Sequence, residues 1–191
     1  RKGPLEIELG SGFGDWIVKK ARQDPDTNFV SVELRADRVW QTFARTCLLA
    51  GTTPVDNLCI VGTESTSFLA HQIEEGSVST IYINHPEPPT QLFGADTYNL
   101  ESIMNGGSEP AHMISSHMIR AAAKCLSKRE SSRLVIVTDN KWYGRLLCAT
   151  FVKVMRSERD MLFPVALGTD FRQSEIFPID RTTGGEQVVL Y

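Results

Sequence analysis

The sequence predicts an α/β protein: a Rossmann-like, mostly parallel sheet whose strands are joined by helices. Three observations carry this. Short apolar runs alternate with stretches of helical spacing, the pattern of βαβ units. A glycine-rich segment, Gly10-Ser11-Gly12-Phe13-Gly14, lies between the first strand and the first helix. A single carboxylate, Glu33, closes the second strand.

Each element can be justified in order. Pro4 to Gly10 is a short apolar strand. Asp15 to Gln23 places Trp16, Ile17 and Ala21 at helical spacing. Asn28 to Leu34 is a strand. Ala36 to Gly51 is the clearest helix, because Val39, Trp40, Phe43, Ala44, Cys47 and Leu48 make one stripe. That stripe predicts a core face for Trp40 and Phe43, and Gly51 is a stop. Asn57 to Gly62 is a strand, Ser65 to Gly76 a helix with a Ser cap and a Gly stop, and Val78 to Asn84 a strand. Pro86, Pro88 and Pro89 then end strand pairing and set the backbone that follows. After a loop-like stretch with one helical turn near Leu100 come a helix (Ala111 to Lys128), a strand (Ser132 to Asn140) and a helix (Lys141 to Met155). Met161 to Gly168 and Glu186 to Tyr191 read as the last strands.

At 191 residues, 41% hydrophobic and 23% charged, the chain suits one domain over residues 1–191 with its own core. No run reaches the roughly 18 to 20 apolar residues of a membrane span. No signal peptide is visible, and the sequence opens on Arg1-Lys2. Cys47, Cys59, Cys125 and Cys148 form no C-x-x-C pair. They read as reduced core thiols of an intracellular protein, in the nucleus or cytoplasm. His112 and His117, read as five apart on one helix, do not share a face as i, i+4 ligands would, so no metal is expected. A net charge of −3 counts against a dedicated nucleic-acid binder unless basic residues cluster. Lys128, Arg129 and Arg133 read as a solvated loop.

The glycine loop has G-x-G-x-G spacing, which fails the G-x-G-x-x-G dinucleotide fingerprint. Its glycines permit a tight turn and close approach of a ligand, and a helix N-terminus follows. Glu33 comes about 20 residues on, where an acidic side chain accepts hydrogen bonds from ribose hydroxyls. With Glu8 just before the first glycine, this set fits S-adenosylmethionine better than NAD. Gly62-Thr63-Glu64-Ser65, after the third strand, is placed to meet an adenine. Asn84 ends the next strand, where its side chain or backbone can face the cofactor. Trp142 and Tyr143 either line the pocket and stack on a base or pack in the core, with the core favoured.

These residues resemble a family. LEIELGSGFGDW, then FVSVELRADRV, is similar to the tRNA (guanine-N7-)-methyltransferases, which carry E-I-G-x-G-x-G and then G-[IV]-E-[IL]-R. Ile83-Asn84-His85-Pro86-Glu87-Pro88 matches the family's apolar strand and F-P-D-P. Met113 to Leu126 and Val135 to Asn140 look like its next helix and strand, and Leu167 to Phe171 and Gly184 to Tyr191 like its C-terminal hairpin. The resemblance implies a seven-stranded class I methyltransferase sheet with the last strand antiparallel. It implies methyl transfer from S-adenosylmethionine to guanine N7 in tRNA. The cofactor residues it implies are Glu8, Gly10, Ser11, Gly12, Gly14, Glu33, Leu34, Arg35, Glu64, Ser65 and Asn84. Glu87 is the implied catalytic and substrate-binding residue, with Asp139 and Thr169 also at the substrate. A β-propeller partner subunit, as in eukaryotic members, is a further implication.

The sequence departs from the family in places. Glu87 stands where the family has Asp. The family's basic loop is absent, with no Lys or Arg between Glu87 and Arg120. The C-terminal T-x-x-E signature survives only as Thr169-Asp170-Phe171, with Glu175 displaced. Glu87-Pro88-Pro89-Thr90 also resembles the [DNS]-P-P-[YFW] motif of amino-group methyltransferases, without its Asn or Asp and its aromatic. A non-catalytic cofactor-binding or scaffold subunit, or a methyltransferase for a small molecule or protein, is the alternative reading.

Overall fold

A computed structural model describes residues 3–49, 55–89, 98–129, 131–158 and 188–190. The chain divides into two compact units, Arg1–Asn84 with Lys124–Leu134, and His85–Ala123 with Val135–Tyr191.

The first unit holds β1 (Leu5–Leu9), α1 (Asp15–Gln23), β2 (Asn28–Glu33), α2 (Ala36–Leu49), β3 (Leu58–Gly62), α3 (Ser65–Gln72) and β4 (Thr80–Asn84). The strands lie in the order β3-β2-β1-β4, all parallel, with Glu8 opposite both Ser31 and Tyr82. From β1 the chain builds β2 and β3 on one side, then crosses to place β4 on the other. That reversal is the topological switch point at whose carboxyl edge open α/β sheets bind ligands. Ile17, Val18 and Ala21 of α1 pack on Phe29 of β2, flanked by Trp16, Val55 and Leu58. Arg133, where β5 (Arg133–Thr138) begins, donates its N–H to Ser79 at 3.1 Å.

The second unit holds α4 (Leu100–Met104), most of α5 (Ser116–Cys125), the rest of β5, α6 (Lys141–Ser157) and β6 (Val188–Leu190). β6 runs antiparallel to β5, with Val189 opposite Val137. α4 packs on α6, and Lys153 fastens the turn between α4 and α5 by donating to the Gly107 carbonyl at 2.8 Å. Seven strands were expected; the described residues hold six, and residues 161–168 lie outside them.

Several expectations need correction. The α2 stripe is not core: Trp40 is 69% exposed and Leu48 82%, and Phe43, Ala44 and Cys47 are exposed too. Val39 is the half-buried member of the stripe, facing Gly62, and among the residues of that helix whose burial is described the buried one is Thr42. A Cβ on Gly14 would come within 2.5 Å of the Thr42 side chain, so α2 approaches the glycine loop through a small polar residue and a missing one. Close approach, not apolar spacing, decides which face is covered. Cys47 and Cys59 are exposed free thiols, the latter on strand β3 at the edge of the first unit's sheet. Cys125 and Cys148 match the core reading better, and burial pushes both thiols up to about 11. Glu64, not Ser65, caps α3: its carboxylate accepts from the Thr66 and Ser67 N–H groups at 2.8 and 2.7 Å. α5 starts at Ser116, so His112 precedes the helix and only His117 lies on it. The Glu109 carboxylate fixes that start by accepting from both the N–H and hydroxyl of Ser116, each at 3.0 Å.

Candidate functional site

Gly10, Gly12 and Gly14 all take left-handed backbone, at φ of 68°, 56° and 74°. An L side chain is strained in each position, which explains three glycines in five residues. The turn is closed by the Gly10 and Ser11 N–H groups, which donate to Val32 at 2.8 and 3.1 Å. Beneath it, the Ser11 and Ser31 hydroxyls meet at 2.6 Å. Gly14 caps α1. A Cβ on Gly12 would meet nothing within 4 Å, so the loop presents open backbone on that side.

Glu33 ties this loop to the next. Its Oε2 accepts from the Gly12 N–H and its Oε1 from the Arg35 N–H, both at 2.9 Å. The carboxylate is buried at the carboxyl end of β2. Each oxygen keeps a further lone pair, the capacity that a pair of ribose hydroxyls needs. The neighbouring Leu34 is exposed. Arg35 turns its guanidinium to Asp37, at 3.1 and 2.8 Å, and holds that carboxyl below its ordinary range.

Glu8 is the unusual group. It is 2% exposed in the centre of the first unit's sheet, and Asn84 donates to its Oε1 at 2.7 Å. Its Oε2 is buried with no hydrogen-bond partner among the described residues. Burial pushes the carboxyl up to about 7, with the Asn84 hydrogen bond pulling down and the Asp15 charge adding to the rise. An unpaired buried carboxylate oxygen at a switch point is the feature a cationic donor would satisfy. The residues therefore fit S-adenosylmethionine: open backbone at Gly12, acceptors at Glu33, an orphan acceptor at Glu8. Glu64 and Ser65 sit after β3 as expected, but the Glu64 oxygens accept from the helix cap and Ser65 is buried.

The remaining candidates belong to the second unit. His85 has φ of 50°, the one non-glycine residue with positive φ among those described, and donates its N–H to Val137 at 2.8 Å. This brings the start of the proline stretch beside the end of β5. Pro89 is buried and Glu87 is exposed. Asp139 is exposed just after β5, and Thr169 lies outside the described residues.

Two features escaped the sequence reading. His112 Nδ1 lies 3.0 Å from the hydroxyl of the fully buried Tyr143. Burial lowers the His112 pKa, against the pull of Glu109. Tyr143 is thus core, as favoured. Trp142, its neighbour, is half-buried and pairs with Tyr98 at 5.8 Å between ring centroids. No sequence signal joins two aromatic residues 44 positions apart. Among the described residues no group of histidine, cysteine and carboxylate side chains could hold a metal, and no helix is long and apolar enough to cross a membrane.

Comparison with known proteins agrees with this geometry. A family model described as "Putative methyltransferase" matches residues 2–91. A tRNA (guanine-N(7)-)-methyltransferase of Chlamydia trachomatis serovar D is 38% identical over 86 residues, covering 45% of this chain and 37% of that protein. Another, from Chlamydia caviae, is 35% identical over 162 residues, covering 84% of this chain and 60% of the relative. The chain thus spans less than two thirds of the length of these relatives. Among solved structures, an antibiotic-related methyltransferase overlays with a TM-score of 0.51 at 16% identity, covering 77% of this chain and 67% of that one. The precorrin-6y C5,15-methyltransferase of Geobacter metallireducens overlays with a TM-score of 0.50 at 11% identity, covering 84% and 64%. Likenesses this remote in sequence give the fold alone, the Rossmann-like class I methyltransferase fold.

Proposed function

We propose that this chain is a member of the tRNA (guanine-N7-)-methyltransferase family, to which its relatives belong by name, that it binds S-adenosylmethionine in its first unit and that it methylates N7 of a guanine in tRNA. The observation that carries the reading is the orphan Oε2 of Glu8 beside the left-handed glycine loop and the Glu33 carboxylate. Glu8 would accept the ammonium of the cofactor's amino acid, and Glu33 the ribose hydroxyls. The bound cofactor supplies an electrophilic methyl group. Guanine N7 has a lone pair and no proton, so the chain needs no general base; it supplies position and charge. Glu87 would hold the guanine N1–H and amino edge, or offset the positive charge the base acquires. Leu34, Arg35, Ser65 and Asn84 would line the cofactor, and Asp139 and Thr169 the base. A tRNA substrate places the activity inside the cell.

Incubation with labelled S-adenosylmethionine and unmodified tRNA, followed by nucleoside analysis, tests this. N7-methylguanosine is expected. Its absence, from the chain alone and from the chain with a β-propeller subunit of the kind the resemblance implies, would overturn the proposal.

One observation favours a second reading, a non-catalytic cofactor-binding subunit. No Lys or Arg stands between Glu87 and Arg120, where the family carries its basic loop. Under that reading Glu87→Ala leaves every function of the chain unchanged.

A further inference from the structure

α6 is the most one-sided charged element described. Its 17 residues include Lys141, Arg145, Lys153 and Arg156 and no carboxylate, in a chain whose net charge is −3. Two of these cations are committed to the turn after α4: Lys153 donates to the Gly107 carbonyl, and Arg156 to the Met104 carbonyl and the Asn105 side chain. Lys141 and Arg145 are exposed, and neither has an ion-pair partner among the described residues. They are four apart and so share a helix face. Arg145 is also one turn from Trp142, which carries Tyr98 against it at 5.8 Å and a tilt of 39°. Both rings are partly buried, with an accessible remainder. Among the described residues the carboxylates on the adjoining segments are Asp139 before the helix and Glu101 on α4, both exposed; Asp96, two residues before Tyr98, lies outside them.

This surface lies at the carboxyl end of β5. The His85–Val137 hydrogen bond sets the stretch leading to Glu87 beside that same end. A pair of partly exposed aromatic rings flanked by unpaired cations is the chemistry that grips unpaired nucleotides. Bases stack on the rings, and the cations meet phosphates. Given the function proposed above, on which this inference rests, we propose that Tyr98, Trp142, Lys141 and Arg145 form a docking surface for an unpaired stretch of the RNA substrate. It would supply contacts that the missing basic loop does not.

The test is binding of an unmodified tRNA transcript, followed by fluorescence anisotropy between 50 and 200 mM salt, with S-adenosylmethionine affinity as the folding control. Trp142→Ala and Tyr98→Ala should each weaken RNA binding about 5- to 150-fold, the range for loss of one stacked base. Trp142→Phe should restore most of it. Lys141→Gln with Arg145→Gln should lower the slope of log affinity against log salt by about 1.4, or about 0.7 for each lost phosphate contact. If Trp142→Ala fails to fold, Tyr98→Ala in the loop carries the stacking arm. Methylation of tRNA by the native chain with unchanged affinity and slope in the variants overturns the surface and leaves the function standing. A response to the charge variant alone, with both aromatic variants unchanged, overturns the stacking role. If the native chain neither binds nor methylates tRNA, the function falls and this surface with it.

Discussion

Glu8 and Glu87 are the two carboxylates on which the proposed chemistry turns, and the molecule treats them in opposite ways. Glu8 is buried in the first unit's sheet, held by Asn84, and pushed up to about 7. Glu87 is exposed in a proline-framed stretch of the second unit. The proposed cofactor side is made by packing and backbone geometry, where each residue constrains its neighbours. The proposed substrate residues Glu87 and Asp139 are side chains in solvent, which can change without disturbing a core. The contrast explains how the G-x-G-x-G and E-L-R matches survive in a chain whose substrate-side motif has diverged.

The strongest way to break the contrast is at Gly14. Gly14→Ala combines positive φ with a clash against Thr42. It should cost about 2–5 kcal/mol, read by denaturant unfolding. Adding Thr42→Gly should return the steric part and leave the backbone part. Measured against Thr42→Gly alone, which has its own cost as a glycine inside a helix, a coupling near zero would show that the two residues are not in contact.

Glu8 comes next. Its folded pKa is raised from 4.5 to about 7, so the folded state binds a proton that the unfolded state has released between those values. Through this group stability is fully present below pH 4.5 and is lost as pH rises through about 7. The loss approaches about 3 kcal/mol. Glu8→Gln should remove that slope, be more stable than the native chain at pH 8, and match it near pH 4.5. The same variant should weaken S-adenosylmethionine binding more than tenfold at pH 8, because an ammonium loses its carboxylate. Native affinity should rise with pH through 7 as Glu8 ionises, which calorimetry in buffers of different ionisation heat would detect as proton release.

Glu87→Ala should do the reverse. Stability should change by less than about 0.5 kcal/mol, since the side chain is exposed, and cofactor affinity should be unchanged. The rate of methyl transfer should fall about 100- to 1,000-fold, the effect of losing one preorganised electrostatic group at the reacting centre. An unchanged rate would favour the non-catalytic reading.

The legible part of this molecule was the part where local chemistry decides. The strand-loop-helix at Gly10 to Gly14 was readable because only glycine suits left-handed backbone, and Glu33 because a carboxylate at the end of the next strand is the acceptor that ribose hydroxyls need. The start of α5 was not, because Glu109 reaches Ser116 across a loop whose conformation no periodicity encodes. Tyr98 and Trp142 were unreadable as a pair for the same reason. Of Glu87 the sequence supplied the residue and its frame of prolines, and the role rested on resemblance.

The smallest predicted effect tests the misread helix. If the stripe on α2 were core, Leu48→Ser would create a buried polar group and a cavity, a loss of several kcal/mol. With Leu48 82% exposed, the change should lie within about 0.5 kcal/mol of zero. Thr42→Val, one helical face away, should matter more, although it is nearly isosteric. It removes the hydroxyl that donates to the Arg38 carbonyl at 3.1 Å and puts a methyl where Gly14 leaves no slack. A chain that tolerates Thr42→Val and unfolds with Leu48→Ser would mean that apolar spacing had been the better guide, and that α2 meets the glycine loop through a different face.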